Sequence, residues 1–269
     1  MRSAAIEEVA SIMRLAAAET ILPRFQKLRT GEVEEKSPGE VVSIADREAE
    51  RIIAPRLASL LPGSRVVGEE AAAETPSVLK DLDQGDVWLV DPLDGTANFV
   101  AGAPEFCVMV ALLRQGQTIA SWILHPPSDQ LAIASSGQGA YINEVRVHTT
   151  TSPLAPIACC GSVLTRFLPE PLKERVIEHS SQFAAILPGA KCAGIDYPAL
   201  VGGAQQFLLF WRLLPWDHAP GTLFITEAGG HVAHLDGSPY YPADQEPGLL
   251  IAPNRATWEM VRQALLGSI

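Results

Sequence analysis

The chain has 269 residues, 47% of them hydrophobic and 19% charged, with a formal net charge of −11. That length buries an ample core without needing disulfides or a structural metal, and the composition is that of a soluble globular protein. The acidic balance, with no cluster of lysine or arginine, counts against nucleic acid as a partner.

Four cysteines (Cys107, Cys159, Cys160 and Cys192) show no CxxC spacing and read as reduced. No basic stretch followed by an apolar one opens the chain, so no secretory leader is predicted. No apolar run approaches the roughly 20 residues of a membrane span. The reading is a cytoplasmic protein without a membrane partner.

Residues 3–29 carry Ile6, Val9, Ile12, Met13, Ala16 and Ala17 at helical spacing, with Pro23 as a kink or break. Gly31 to Glu40 is polar, contains glycine and proline, and reads as a mobile loop. Val41 to Asp46 leads into a helix bearing Ile52, Ile53, Leu57 and Leu60. Asp46 taken alone is an ordinary helix-start acid. Val66-Val67-Gly68-Glu69-Glu70 is a short apolar strand that ends in carboxylates.

The apolar run Val87 to Val90 predicts a buried strand, followed at once by Asp91-Pro92-Leu93-Asp94-Gly95-Thr96. Two carboxylates at a strand end can converge on one point. Pro92 pushes Asp91 towards extended backbone, and Gly95 lets the chain turn sharply and a ligand approach its N–H. Thr96 brings a hydroxyl to the first turn of a helix, where free N–H groups bind phosphate. Hard oxygens beside such a cradle suggest Mg²⁺ and a phosphorylated substrate. A DxxD by itself is better read as a turn with two solvated aspartates. Glu69 upstream and Asp217 downstream reverse that preference.

Cys107 to Arg114, Thr118 to Leu124 and Gln130 to Ala134 form an antiparallel meander, punctuated by Gln115-Gly116, Pro126-Pro127 and the pair Gly137 and Gly139. Thr149 to Pro153 is a plausible joint between an N-terminal α+β part (1–150) and a C-terminal α/β part (151–269). Ile157 to Cys160, Phe207 to Phe210 and Leu249 to Ala252 read as strands, with helices at Pro169 to Ser180, Ala199 to Ala204 and Ala256 to Leu266. Pro215-Trp216-Asp217-His218-Ala219-Pro220-Gly221 opens a further helix, stopped by Gly229-Gly230, with Asp217 at its mouth. The chemical groups on offer are carboxylates, one threonine and helix N-termini. No cysteine or serine nucleophile motif is present, which points to metal-assisted attack by water.

Gly68-Glu69-Glu70, Asp91 through Phe99 (DPLDGTANF) and Trp216 through Gly221 (WDHAPG) together resemble, in that order, the signatures of the inositol monophosphatase family. The larger group includes fructose-1,6-bisphosphatases and 3′-phosphoadenosine phosphatases. The resemblance covers nearly the whole chain. It implies a layered α/β/α/β/α sandwich of the α+β class, with an antiparallel sheet in the N-terminal half and a mixed sheet in the C-terminal half. It also implies a homodimer and Mg²⁺-dependent hydrolysis of a small-molecule phosphate ester by metal-activated water. Two to three Mg²⁺ ions are implied, with Mn²⁺ as a substitute and Li⁺ as an inhibitor.

Residue by residue, the resemblance assigns Glu69, Asp91 and the Leu93 carbonyl to one Mg²⁺, and Asp91, Asp94 and Asp217 to a second. A third ion would lean on Glu69 through water. Gly95 and Thr96 N–H groups would hold the phosphate, while Glu69 and Thr96 paired with Asp46 would orient the water. Lys36 would lie on a flap over the metals, and Glu70 would support without touching them. His218 and Trp216 read as packing residues.

Two departures concern the substrate. Phe210 stands seven residues before Asp217, where inositol-specific members carry a hydroxyl-binding glutamate. Phe210 could stack on a planar leaving group or point into the core. Asp196 could contact a polyol or cap a helix. The alternatives are a 3′-phosphoadenosine-5′-phosphate or fructose-1,6-bisphosphate phosphatase and, in another class, a non-catalytic regulatory protein on the same fold.

Overall fold

The computed structural model describes residues 3–37, 40–152, 154–244 and 246–267. Helix α1 (Ser3–Ala16) continues into one wide turn, Ala17–Ile21, in which Leu22 N–H donates to the Ala17 carbonyl at 2.9 Å. The helix therefore ends at Ile21, just before Pro23, and not near residue 29. The predicted loop is instead a two-stranded antiparallel ribbon, β1 (Val33–Ser37) with β2 (Glu40–Ser43). Pro38 and Gly39, the middle of that loop, lie outside the described residues, as does Pro153 of the predicted joint. Apart from Val33, β1 is polar and exposed, so it lacks the apolar alternation that marks a strand.

After α2 (Ile44–Leu60), a seven-stranded sheet runs in spatial order through β3 (Arg65–Gly68), β4 (Asp86–Asp94), β5 (Cys107–Arg114), β6 (Gln117–His125), β7 (Gln130–Ser135), β8 (Gly139–Ile142) and β9 (Val145–Val147). Short helices α3 (Glu69–Glu74) and α4 (Thr96–Val100) follow β3 and β4. The sheet is antiparallel except for the β3–β4 pair. A five-stranded mixed sheet contains β10 (Cys160–Val163), β11 (Ala185–Leu187), β12 (Phe207–Phe210), β13 (His231–His234) and β14 (Leu249–Ala252), in the order β11-β10-β12-β14-β13. Its helices are α5 (Glu170–His179), α6 (Ala193–Val201), α7 (Pro215–Glu227) and α8 (Arg255–Leu266). Strands β11 and β13 are too short to carry a periodic signal, and sequence reading misses both.

Alternation along the strands stacks these elements into five layers. Trp88 and Val90 of β4 face α1 and α2, packing with Met13, Ile53 and Leu57. Val87 and Leu89 face the other way, against Trp216 and Ala219 of α7. Helices α6 and α7 form the central layer: Tyr197 and Phe224 lie between Met109 and Ile123 of one sheet and Leu208 and Ile251 of the other. Phe207 and Leu209 turn outward to α5 and α8. This is the expected α/β/α/β/α arrangement.

The two central helices meet at a glycine. A Cβ on Gly221 would stand 2.0 Å from Cδ2 of Tyr197, so only glycine allows this approach of α7 to α6. Gly221→Ala should lower stability by about 1–3 kcal/mol through overpacking. Urea unfolding measures this, and an unchanged midpoint would show that the helices can part at no cost.

Candidate active site

Two backbone features bring the acids together. In the parallel β3–β4 pair, Gly68 is in register with Val90, so Glu69 and Asp91 leave their strands side by side. In the β4–β5 pair, Asp91 is opposite Met109 and Asp94 is opposite Cys107: three steps on β4 are matched by two on β5. That is a β-bulge at Pro92, which has no N–H to give the ladder. Residues three apart on a regular strand point to opposite faces. The bulge puts both aspartates on the face of Met109 and Cys107, towards α6 and α7. Asp217, in the first turn of α7, completes the group.

Asp91 is 2% exposed; Glu69, Asp94 and Asp217 are partly buried. Burial, followed by the charges of Glu69, Asp94 and Asp217, raises Asp91 well above the usual carboxylate range. Asp217 is raised in the same way by burial, Asp94 and Glu69, with Arg212 and a hydrogen bond to Asp91 opposing. Burial lifts Asp94 to about 6 despite the Gly194 N–H at 2.6 Å and the Cys192 thiol at 3.2 Å. Burial also lifts Glu69 to about 7, although Lys36 Nζ stands 3.2 Å away.

Thr96 Oγ1 lies 2.7 Å from Asp46 Oδ1 and 2.9 Å from the Leu93 carbonyl. Asp46 Oδ2 accepts from the Ser43 N–H at 2.9 Å, reaching back across the start of α2. Burial raises Asp46 to about 6, with the Ser43 and Thr96 hydrogen bonds pulling the other way. Gly95 has φ +85°, and no side chain caps α4. A Cβ there would stand 2.7 Å from the Glu105 carbonyl.

Sequence reading missed Glu50. Its carboxylate accepts from the Glu70 and Ala71 N–H groups, both at 2.9 Å, and so caps α3 from outside. A Cβ on Gly68 would stand 2.2 Å from Glu50 Cδ, so the glycine of the GEE stretch makes room for this cap. The available signal was a pair of acids, Asp46 and Glu50, one helical turn apart beside the apolar stripe Ala45, Ala49, Ile53 and Leu57. Lys36 reaches in from the ribbon to Glu70 at 2.5 Å as well as to Glu69. Burial works against its ammonium, and the two glutamates more than offset that, leaving its pKa raised.

Four other expected residues lie beside the acids in packing positions. Asp196 is 2% exposed and accepts from Ala190 N–H at 3.2 Å and Gln205 Nε2 at 3.1 Å, which leaves it engaged by the protein itself. It ties a loop to α6 and does not cap that helix, whose N-cap is Cys192. Phe210 packs with its ring centroid 5.7 Å from Tyr197 and 4.8 Å from His218. His218, lowered to about 4 by burial, joins Tyr197 Oη at 3.0 Å to the Arg212 carbonyl at 3.1 Å. Trp216 wedges against β3 and β4 beside Asp217. Burial pushes the Cys107 and Cys192 thiols up, which keeps them protonated and poorly nucleophilic.

The donor set suits a hard divalent cation: four mutually repelling carboxylates and a carbonyl, with Lys36 offsetting Glu69 and Arg212 offsetting Asp217. Among the described residues no three acidic, histidine or cysteine side chains already surround one point. Glu69 is drawn to Lys36 and Asp94 to Gly194, so binding a cation requires those two to turn inward. Among the described residues no helix is long and apolar enough to cross a membrane.

The model of the inositol monophosphatase family matches residues 4–267. A relative from Mesorhizobium japonicum named inositol-1-monophosphatase is 32% identical over 263 residues, covering 95% of this chain and 92% of its own. A relative from Vibrio cholerae named Nus factor SuhB is 30% identical over 230 residues, covering 82% of this chain and 80% of its own. The crystal structure of the extragenic suppressor protein suhB from Bartonella henselae superposes with a TM-score of 0.85 at 26% identity, over 99% of this chain and 100% of that one.

The raised carboxylates make the metal-free protein sensitive to pH. Asp46, Glu69 and Asp94 bind their protons more tightly folded than unfolded, so their contribution is full below about pH 4. It is lost as pH rises through their folded values, about 6 to about 7. In chelator, Tm should therefore fall between pH 5 and pH 8. Mg²⁺ should raise Tm more at pH 8 than at pH 5, because protons compete for the same oxygens. A flat Tm with no Mg²⁺ effect would remove the repulsive cluster.

Proposed function

The chain belongs to the inositol monophosphatase family, and on that premise we propose that it hydrolyses a small-molecule phosphate monoester with Mg²⁺ as its cofactor. The observation that supports this is the bulge at Pro92 acting with the parallel β3–β4 register, which sets Glu69 beside Asp91 and turns Asp91 and Asp94 to the face of the sheet that meets α7, the helix of Asp217. Those four side chains and the Leu93 carbonyl would hold the ions, with Mn²⁺ able to replace Mg²⁺. When bound, the cations offset the charge of the phosphoryl group and acidify water.

The remaining work falls to the chain's own groups. Gly95, with its left-handed turn, exposes the N–H groups of Gly95 and Thr96 to the ester's phosphoryl oxygens. Thr96 Oγ1 has one hydrogen, given to Asp46 or Leu93, and lone pairs left to accept from a water. Asp46, raised by burial to about 6, titrates close enough to neutrality to accept a proton. A proton leaving that water through Thr96 comes to rest on Asp46. Glu50 caps the helix that begins with Glu69 and keeps its direction.

The leaving group would be a polyol, sugar or nucleotide; 3′-phosphoadenosine-5′-phosphate and fructose-1,6-bisphosphate are the named alternatives. A homodimer in the cytoplasm goes with this reading. A non-catalytic regulatory role is the second reading, favoured by the Vibrio cholerae relative named Nus factor SuhB. The intact acids at positions 69, 91, 94 and 217, with Thr96 on Asp46, argue for turnover.

Phosphate release from a panel of esters, with Mg²⁺ and with EDTA, separates the readings: chelation should abolish release. Asp91→Asn and Asp94→Asn should each lose at least about 100-fold in kcat/KM while staying folded, since even residues behind metal ligands cost 10–100-fold. Thr96→Ala should lower kcat by about 10²–10⁴ with KM little moved. Phosphate release that survives exhaustive chelation, or an Asp91→Asn variant of wild-type rate, overturns the mechanism.

A further inference from the structure

We propose that Arg212 selects substrates whose leaving group carries a second anionic group, a phosphate or a carboxylate, and that Glu40 of the ribbon occupies that anion's place in the resting protein. This rests on the phosphatase reading and adds to it the class of leaving group.

Arg212 lies between β12 and α7, five residues before Asp217. Its carbonyl is fixed by His218, the neighbour of Asp217, at 3.1 Å. Its guanidinium carbon lies over Phe167, 4.4 Å from the ring centroid, and the group pairs with the Glu40 carboxylate. Ring stacking leaves the planar edge of an arginine free to grip an oxyanion by two parallel hydrogen bonds. Its positive charge also reaches Asp217, opposing the effect of burial there. At 41% exposure the side chain is open to solvent and to a ligand.

The ribbon shows which side of the acids this is. Lys36 on β1 touches Glu69 and Glu70, while Glu40 on β2 touches Arg212. One end of the short ribbon, where Ser37 pairs with Glu40, thus reaches both Glu69 and Arg212. An exposed ion pair contributes little to stability, so a substrate anion can displace Glu40. The polar partner that a neutral polyol would need is not supplied by Phe210, which is engaged with Tyr197 and His218. Asp196 is engaged by Ala190 and Gln205. Arg212 shares the Phe167 ring with Arg166, whose guanidinium carbon is 5.1 Å from the centroid, and of the two it is Arg212 whose charge bears on Asp217.

The test compares matched esters with Mg²⁺: fructose 1-phosphate against fructose 1,6-bisphosphate, and glycerol 2-phosphate against 2-phosphoglycerate. The first pair adds a phosphate and the second a carboxylate. Wild type should favour the doubly anionic member of at least one pair by about tenfold or more in kcat/KM, the scale on which a missing polar partner is rejected. Arg212→Ala should collapse that ratio towards one, chiefly through KM. Arg212→Lys should restore part of it, and Glu40→Gln should lower KM for the doubly anionic member. A purely structural role would move both members of a pair equally, leaving the ratio intact, and would overturn the proposal. Release from all four esters without preference in wild type also overturns it while sparing the phosphatase reading. No release from any ester of the wider panel brings down both.

Discussion

Like charges crowded out of water govern this molecule. Asp91 is buried between two other aspartates and a glutamate, and each raises the proton affinity of the next. Such a group opposes folding when ionised, since burial disfavours charge and the neighbours add repulsion. Two nearby cations oppose this, and both already have carboxylate partners: Lys36 on Glu69 and Glu70, Arg212 on Glu40. The fold therefore holds an electrostatic debt that a hard divalent ion would relieve. A site assembled for packing alone would pair its acids or move them to the surface.

The means of assembly is backbone geometry. One extra residue at Pro92 turns a spacing of three, which should scatter two side chains to opposite faces, into a shared face. A parallel register then sets Glu69 beside Asp91, and a helix held by a Gly221–Tyr197 contact supplies Asp217. Each acid sits within or at the end of a regular element, Asp91 inside β4 and the others at element ends, and not on a free loop. Preorganisation of this kind confines the adjustment on binding to side chains, Glu69 leaving Lys36 and Asp94 leaving Gly194, because the sheet and the central helices have already fixed the backbone.

Legibility followed the same division. The strands with an apolar run and a helix with a stripe could be read directly: β4, β5 and α2 were expected where they occur. The three motifs can be placed in order from their residues, although the reasons for their glycines are long-range: Gly68 makes room for Glu50 and Gly221 for Tyr197. Long-range pairing could not be read. Nothing local says that Gly68 is in register with Val90, or that Glu50 reaches two N–H groups beyond it. The ribbon was read as a loop because its strands are charged and its partners are one another. Asp196 looked available in the sequence, and the fold closes it with Gln205 and Ala190.

This division has a physical sense. Residues that must meet at a fixed distance lie on the ends of strands and helices, and periodicity marks those. Residues at the rim are held by exposed pairs, such as Arg212 with Glu40 and Arg47 with Glu34, whose net stabilisation is small. Small stabilisation means that such pairs can exchange partners without unfolding anything. The core of the site is therefore built by packing and register, which tolerate little change. Its mouth is built from exchangeable charges, which can be altered one at a time. A chain can keep the first and vary the second, while the departures from the family motifs, Phe210 and Asp196, are buried packing positions that belong to neither.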